Sequence, residues 1–95
     1  MIIADISVAP VSEGTSLSRY VKEAFKAIEA SGVKYHSGPM GTSFEARDMD
    51  QVLSVAKAAH EAVVRTGAKR IITTLKIDDR RDKDASMDSK LKALR

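Results

Sequence analysis

The chain has no cysteine and no tryptophan, and its aromatic content is two tyrosines and two phenylalanines. Each shortage closes off a class of function. Without cysteine there is no disulfide framework and no thiolate chemistry. The two histidines, His36 and His60, have no second His or Cys at metal-ligand spacing, so no metal site is expected. Few aromatics leave little surface on which the bases of a single strand would stack. No stretch approaches the roughly 20 apolar residues that span a bilayer, so a membrane is not an expected partner. The start Met1-Ile2-Ile3-Ala4-Asp5 lacks the basic segment and long apolar run of a secretory signal, and a cytoplasmic location is the default expectation. There is neither a P-loop nor a Gly-x-Ser-x-Gly elbow. Nothing assembles a nucleophile, a base and an orienting group, so the residues do not support an enzyme and imply no cofactor.

What is present suits an ordinary folded protein. Ninety-five residues allow one domain, residues 1–95, with a core of modest thickness. At 43% hydrophobic and 31% charged, the composition separates the chain from disordered ones. The net charge of +3 is mild, and Lys69, Arg70, Lys76, Arg80, Arg81 and Lys83 are interleaved with Asp78, Asp79, Asp82 and Asp84. Opposite signs weaken one another's field, which argues against a nucleic-acid partner.

Apolar spacing divides the chain into elements. Residues 2–9 alternate Ile2, Ala4, Ile6 and Val8 against Ile3, Asp5, Ser7 and Ala9, the period of a strand, which Pro10 ends. Thr15 and Ser16 are candidate caps for a helix whose apolar positions are Leu17, Tyr20, Val21, Ala24 and Ile28, and Gly32 stops it. Two alternating runs then flank Gly38-Pro39-Met40-Gly41, where glycine freedom and a fixed proline φ favour a reversal, so 33–47 reads as a hairpin. Asp48 caps a second helix, with Gln51 completing a capping box, and its stripe is Val52, Val55, Ala56, Ala59 and Val63. Gly67 stops it. Residues 70–78 alternate again, and from Ala85 the positions Met87, Leu91 and Leu94 predict a short C-terminal helix too weakly apolar to stand alone. Such a helix is expected to dock on something, with another subunit as one choice.

The order β, α, β, β, α, β and then a helix is the ferredoxin-like α+β pattern. Right-handed crossovers put two helices on one face of a four-stranded antiparallel sheet of order 4-1-3-2. Alternation then places Asp5 and Ser7, Ser43, Glu45 and Arg47, and Thr74 and Lys76 together on the opposite face, with Ile3 and Ile72 as an apolar floor. That face is either simply wet, or it is the floor of a site, on one chain or between subunits. His60 reads as a partly buried or capping residue, and Asp48-Met49-Asp50 as a helix start rather than an ion site.

Several segments, in one order along the chain, resemble the small thiamine-binding protein family. They include Ser7-Val8-Ala9-Pro10, Pro39-Met40-Gly41-Thr42-Ser43-Phe44-Glu45 and Lys76-Ile77-Asp78-Asp79-Arg80-Arg81-Asp82. The resemblance implies a ferredoxin-like fold and binding of thiamine or its hydroxymethylpyrimidine half without catalysis. It also implies assembly into dimers and tetramers, a dimer of dimers. Ala46 follows Glu45 where the family pattern suggests glycine. On this reading Glu45 faces the donor edge of an aminopyrimidine, and Ser7, Thr42, Ser43 and Thr74 serve its other positions. Asp5 favours the cationic thiazolium, whereas Lys76 and Arg47 oppose it and welcome a phosphate. The competing reading is an oligomeric regulatory module that senses a small anion or metabolite through Arg80, Arg81 or the amides of the 38–42 turn.

Overall fold

The N-terminal period-two run becomes the strand on which the rest of the chain is laid. In the computed structural model, which describes residues 1–11, 14 and 17–95, it is β1, Ile2–Pro10. Then come α1 (Ser18–Ala30), β2 (Tyr35–Ser37), β3 (Thr42–Ala46), α2 (Met49–Val64), β4 (Ile71–Asp78) and α3 (Met87–Ala93). The sheet runs β2-β3-β1-β4 with every pairing antiparallel, which is the expected 4-1-3-2 order read from the other edge. The fold is ferredoxin-like.

The core lies between the sheet and the first two helices. Ile2, Ala4, Ile6 and Val8 of β1 and Phe44 and Ala46 of β3 meet Tyr20, Ala24 and Ile28 of α1 and Val52, Val55, Ala59 and Val63 of α2. Small side chains on α2 let that helix approach closely, so Phe44, Val52, Ala59 and Val63 are fully covered. His60 Nδ1 meets Thr73 Oγ1 at 2.6 Å, which ties α2 to β4 through a polar pair at the edge of this layer.

The helix ends follow the sequence, with local differences. Gly32 and Gly67 follow α1 and α2 at φ +80° and +93°, the left-handed conformation that closes a helix. Asp48 caps α2 by accepting the Gln51 N–H at 2.8 Å. The Gln51 side chain reaches one residue further than a capping box, accepting from the Arg47 N–H at 2.8 Å. Leu17 occupies the N-cap of α1 and makes no side-chain cap, while the expected caps Thr15 and Ser16 lie outside the described residues. Val21, expected in the core, is 48% exposed, because α1 turns only Tyr20, Ala24 and Ile28 onto the sheet.

The larger correction concerns the second sheet face, expected to be open. It is partly covered by α3 of the same chain. Ser86 and Ser89 form a capping box that starts the helix. Met87 is then buried at 6% exposure and its backbone N–H donates to Glu45 Oε2 at 3.4 Å. Lys34 Nζ pairs with Asp88 at 2.7 Å, and Lys90 pairs with Asp78. Leu94, expected on the apolar stripe, is 84% exposed.

Candidate functional site

One concavity follows from a mismatch of strand lengths. β1 pairs with β3 only as far as Ile6↔Thr42, yet continues beside β4 to Pro10↔Ile71. Among the described residues, the lane that β3 would occupy beside residues 7–10 is therefore without a strand. Into it opens a cleft of about 720 Å³, walled by β1, by one side of α1 and by the turn between β2 and β3. Its apolar walls include Val21, Phe25, Pro39 and Met40; Ser7, Ser37 and Thr42 bring hydroxyls and Lys22 a cation. Phe25 is held edge-on against Tyr35, with centroids 5.4 Å apart and planes at 84°, so one wall is braced by an aromatic pair.

The turn is set by its own backbone. Gly38 N–H donates to Gly41 C=O at 2.8 Å, which uses one of the amides otherwise offered to an anion. At Gly41 a side chain would fit only tightly: a Cβ would stand 3.0 Å from Ile6 O and 3.3 Å from Asp5 Oδ2. The Asp5 carboxylate thus lies against the turn from the second sheet face, where Oδ1 accepts from Ser43 Oγ at 3.0 Å.

The sheet residues singled out in the sequence divide into four groups. Ser7 and Thr42 line the cleft. Asp5 and Ser43 form a bonded pair beside the turn, one register step from Ile6↔Thr42. Glu45 is buried under α3 at 7% exposure, with Met87 N–H as its partner. Thr74 and Lys76 are exposed on β4, opposite Ser7 and Asp5. A separate small cavity of about 190 Å³ lies at the foot of α3, lined by Ile3, His36, Ser43, Met87, Lys90 and Leu91.

Arg80 and Arg81 sit at the opposite end of the sheet. With Arg47 they border a polar cleft of about 520 Å³ near the start of α2. Both guanidiniums already hold carboxylates: Arg80 grips Asp82 through Nε and Nη2 at 2.7 and 3.0 Å, and Arg81 grips Asp79 at 3.1 and 3.0 Å. The Arg80 contact holds the Asp82 carboxyl below its ordinary value and raises Arg80. An incoming anion would have to displace these partners.

Elsewhere, Lys34 holds the Asp88 carboxyl below the usual range through their hydrogen bond, and Asp88 raises Lys34 in return. Tyr35 donates to Glu29 at 3.0 Å, and that bond raises the Tyr35 hydroxyl. Among the described residues no group of three or more His, Cys, Asp or Glu is placed to hold a metal ion, and no helix is long and apolar enough to cross a membrane.

Sequence reasoning did not find Val21, Lys22, Phe25 or the free side of β1 as cleft walls. The available signal was unequal strand length: nine residues in β1 against five in β3.

Comparison with known proteins gives a consistent result. The sequence model of the family described as thiamine-binding protein matches residues 4–95. A UPF0045 protein of Methanothermobacter thermautotrophicus is 45% identical over 96 residues, spanning 100% of this chain and 97% of its own. One from Bacillus subtilis is 37% identical, across 99% of this chain and 94% of its own. The crystal structure of a hypothetical protein from Methanocaldococcus jannaschii superposes with a TM-score of 0.89 at 36% identity, over 98% of this chain and 94% of that one. A Thermotoga maritima protein, a candidate in thiamine biosynthesis or salvage, shares the fold with a TM-score of 0.82 at 24% identity, over 99% and 98% of the two chains. With a whole-length family match and relatives this similar, the chain belongs to the thiamine-binding protein family.

Proposed function

We propose that this chain binds thiamine, or its hydroxymethylpyrimidine half, and releases it unchanged, and that the ligand occupies the cleft where β3 stops short of β1. The observation that carries the reading is the lining of that cleft. The turn at residues 38–42, which overlaps one of the segments that carry the family resemblance, closes one side of a concavity of about 720 Å³ with mainly apolar walls. Small-molecule sites are commonly about 300–1,000 Å³, apolar, with a few placed polar groups. Val21, Phe25 and Met40 would flank a flat ring, and Ser7 and Thr42 would meet its polar edge. Asp5 and Ser43 act one step behind, by bracing the turn. Glu45, whose carboxylate is taken up by α3, serves the fold of the second face, and Thr74 and Lys76 stand apart from the ligand. Lys22 at the cleft works against a free cationic thiazolium, so the neutral pyrimidine binds at least as well as thiamine, and a phosphorylated form better than free thiamine.

Residues 1–95 act as one binding unit that assembles with further copies, and the outer edge of β4, eight residues long and unpaired among the described residues, is the first candidate for a dimer contact. The anion-sensing alternative is weakened by the carboxylates that Arg80 and Arg81 already hold.

Isothermal titration of both compounds tests the reading, with light scattering for mass. Micromolar binding near one ligand per chain is expected. Val21→Asp, at an exposed wall position where the fold tolerates change, should weaken it at least about tenfold by placing a carboxylate against the ring. Lys76→Ala should leave it unchanged. The reverse pattern would move the ligand to the second sheet face, and no heat from a folded protein would end the proposal.

A further inference from the structure

The vacant lane beside β1 exposes backbone as well as side chains. Along an extended strand, the N–H and C=O of one residue point to the same side, and successive residues alternate. Val11 N–H bonds to Arg70 O at 2.8 Å, so the odd-numbered residues of β1 address β4. Ile6, with its carbonyl facing Gly41 and its register partner Thr42, shows that even-numbered residues address β3. Pro10 has no N–H to give. Val8 is therefore the residue whose donor and acceptor both point into the lane, and among the described residues no strand pairs with it there. Its side chain stands out of the sheet plane, buried at 5% exposure among the core residues on the helix-covered face. What Val8 offers the cleft is an amide N–H beside a carbonyl, in a segment held rigid by the β4 ladder on its other edge.

A donor and an acceptor side by side fit one class of ligand well: a six-membered nitrogen heterocycle with an amino group on the carbon next to a ring nitrogen. The ring nitrogen is the acceptor and the amine is the donor. Resting on the binding reading above, we infer that Val8 is the recognition element of the cleft. Its N–H donates to the ring nitrogen and its C=O accepts from the exocyclic amine, so the ring continues the sheet by one rung where β3 stops. This is the physics of peptide addition to a sheet edge, with a heterocycle in place of the strand. It gives selectivity that no side chain supplies. A ring without the amine leaves the Val8 carbonyl covered and unpaired, and a ring without the adjacent nitrogen does the same to the N–H. The turn at Gly41 matters to this arrangement because its lack of a side chain lets the hairpin approach Ile6 and keeps the lane's inner end well defined.

Amide hydrogen exchange on the full chain, followed by two-dimensional NMR, tests the inference with 4-amino-5-hydroxymethyl-2-methylpyrimidine as the probe. Without it, the Val8 amide should exchange much faster than those of Ile6 and Ala9, which lie in ladders. At saturation it should slow at least about tenfold, to the range of its neighbours. The same pyrimidine without its 4-amino group should bind about tenfold more weakly, one neutral hydrogen bond lost. Calorimetric binding with no slowing at Val8, or with equal affinity for the ring lacking the amine, overturns the inference and leaves the binding function standing. Protection of Val8 in the free chain overturns it as well, since the edge would then already be paired. Absence of binding by either ring overturns both.

Discussion

Replacement of Met87 by alanine is the sharpest test of how the second sheet face is closed. Met87 is 6% exposed and stands at the first turn of α3, above Ile3 and beside the buried Glu45 carboxylate. Truncating a buried methionine costs about 2–5 kcal/mol, set by how far the surroundings relax into the space. Here the cover is one short helix of seven residues, whose last apolar side chain, Leu94, is 84% exposed. It can settle inward, so the expected loss is near the lower end, about 2 kcal/mol. With a urea slope of about 1 kcal/mol per molar for so small a protein, the unfolding midpoint falls by about 2 M. The thermal midpoint falls by roughly 8–16 °C. Trypsin supplies an independent readout, because Lys90 and Lys92 lie in α3 and become cleavable when it detaches. An unchanged urea midpoint together with unchanged cleavage would refute the reasoning and place α3 away from the sheet.

Three further outcomes follow from the same geometry. Glu45→Ala leaves the Met87 N–H without its side-chain acceptor and should cost about 1–3 kcal/mol in urea unfolding, whereas Glu45→Gln, which keeps an oxygen there, should cost less. The pH dependence of α3 docking has a definite sign. Asp88, held low by Lys34, supports docking in full above its ordinary value of 3.8 and loses that support as acid titrates it. Lys34, held high by Asp88, supports docking in full below 10.5 and loses it as the pH rises further. The Met87 methyl signal should therefore shift toward its undocked position at both extremes, and Asp88→Asn should weaken both dependences, leaving the share that the Lys90–Asp78 pair supplies. Gly41→Ala and Gly67→Ala should each destabilise by about 1 kcal/mol, but for different reasons. At Gly41 the added Cβ meets Ile6 O at 3.0 Å and should also weaken ligand binding; at Gly67 it meets nothing within 4 Å, the cost is the φ of +93°, and titration should show unchanged affinity.

The order of elements was legible because period two and period 3.6 are properties of the chain itself, and Gly32 and Gly67 mark the helix ends through their backbone. The strand order came from general rules of connection. Register did not, and register decides where the cleft opens: Ile6↔Thr42 is the last rung between β1 and β3, and no pattern in either strand states it. Alternation correctly grouped Asp5, Ser7, Ser43 and Glu45 on one face but said nothing of what lies above it. Met87 and Leu91 announced a helix that must dock but not the surface it would cover, so a buried carboxylate serving α3 read as a candidate ligand contact. Val21 misled in the opposite direction. It keeps helical spacing with Tyr20 and Ala24, yet it sits where α1 leaves the sheet and borders the cleft.

The measurement that bears most directly on the central claim is an NMR titration of the assigned protein with the hydroxymethylpyrimidine, read residue by residue. Binding in the cleft predicts saturable shifts at residues 6–9, at Val21 and Phe25, and through the turn at 37–42, with Lys76, Met87 and Arg80 unmoved. Shifts centred on Glu45, Lys76 and Met87, or on Arg80 and Arg81, would contradict it.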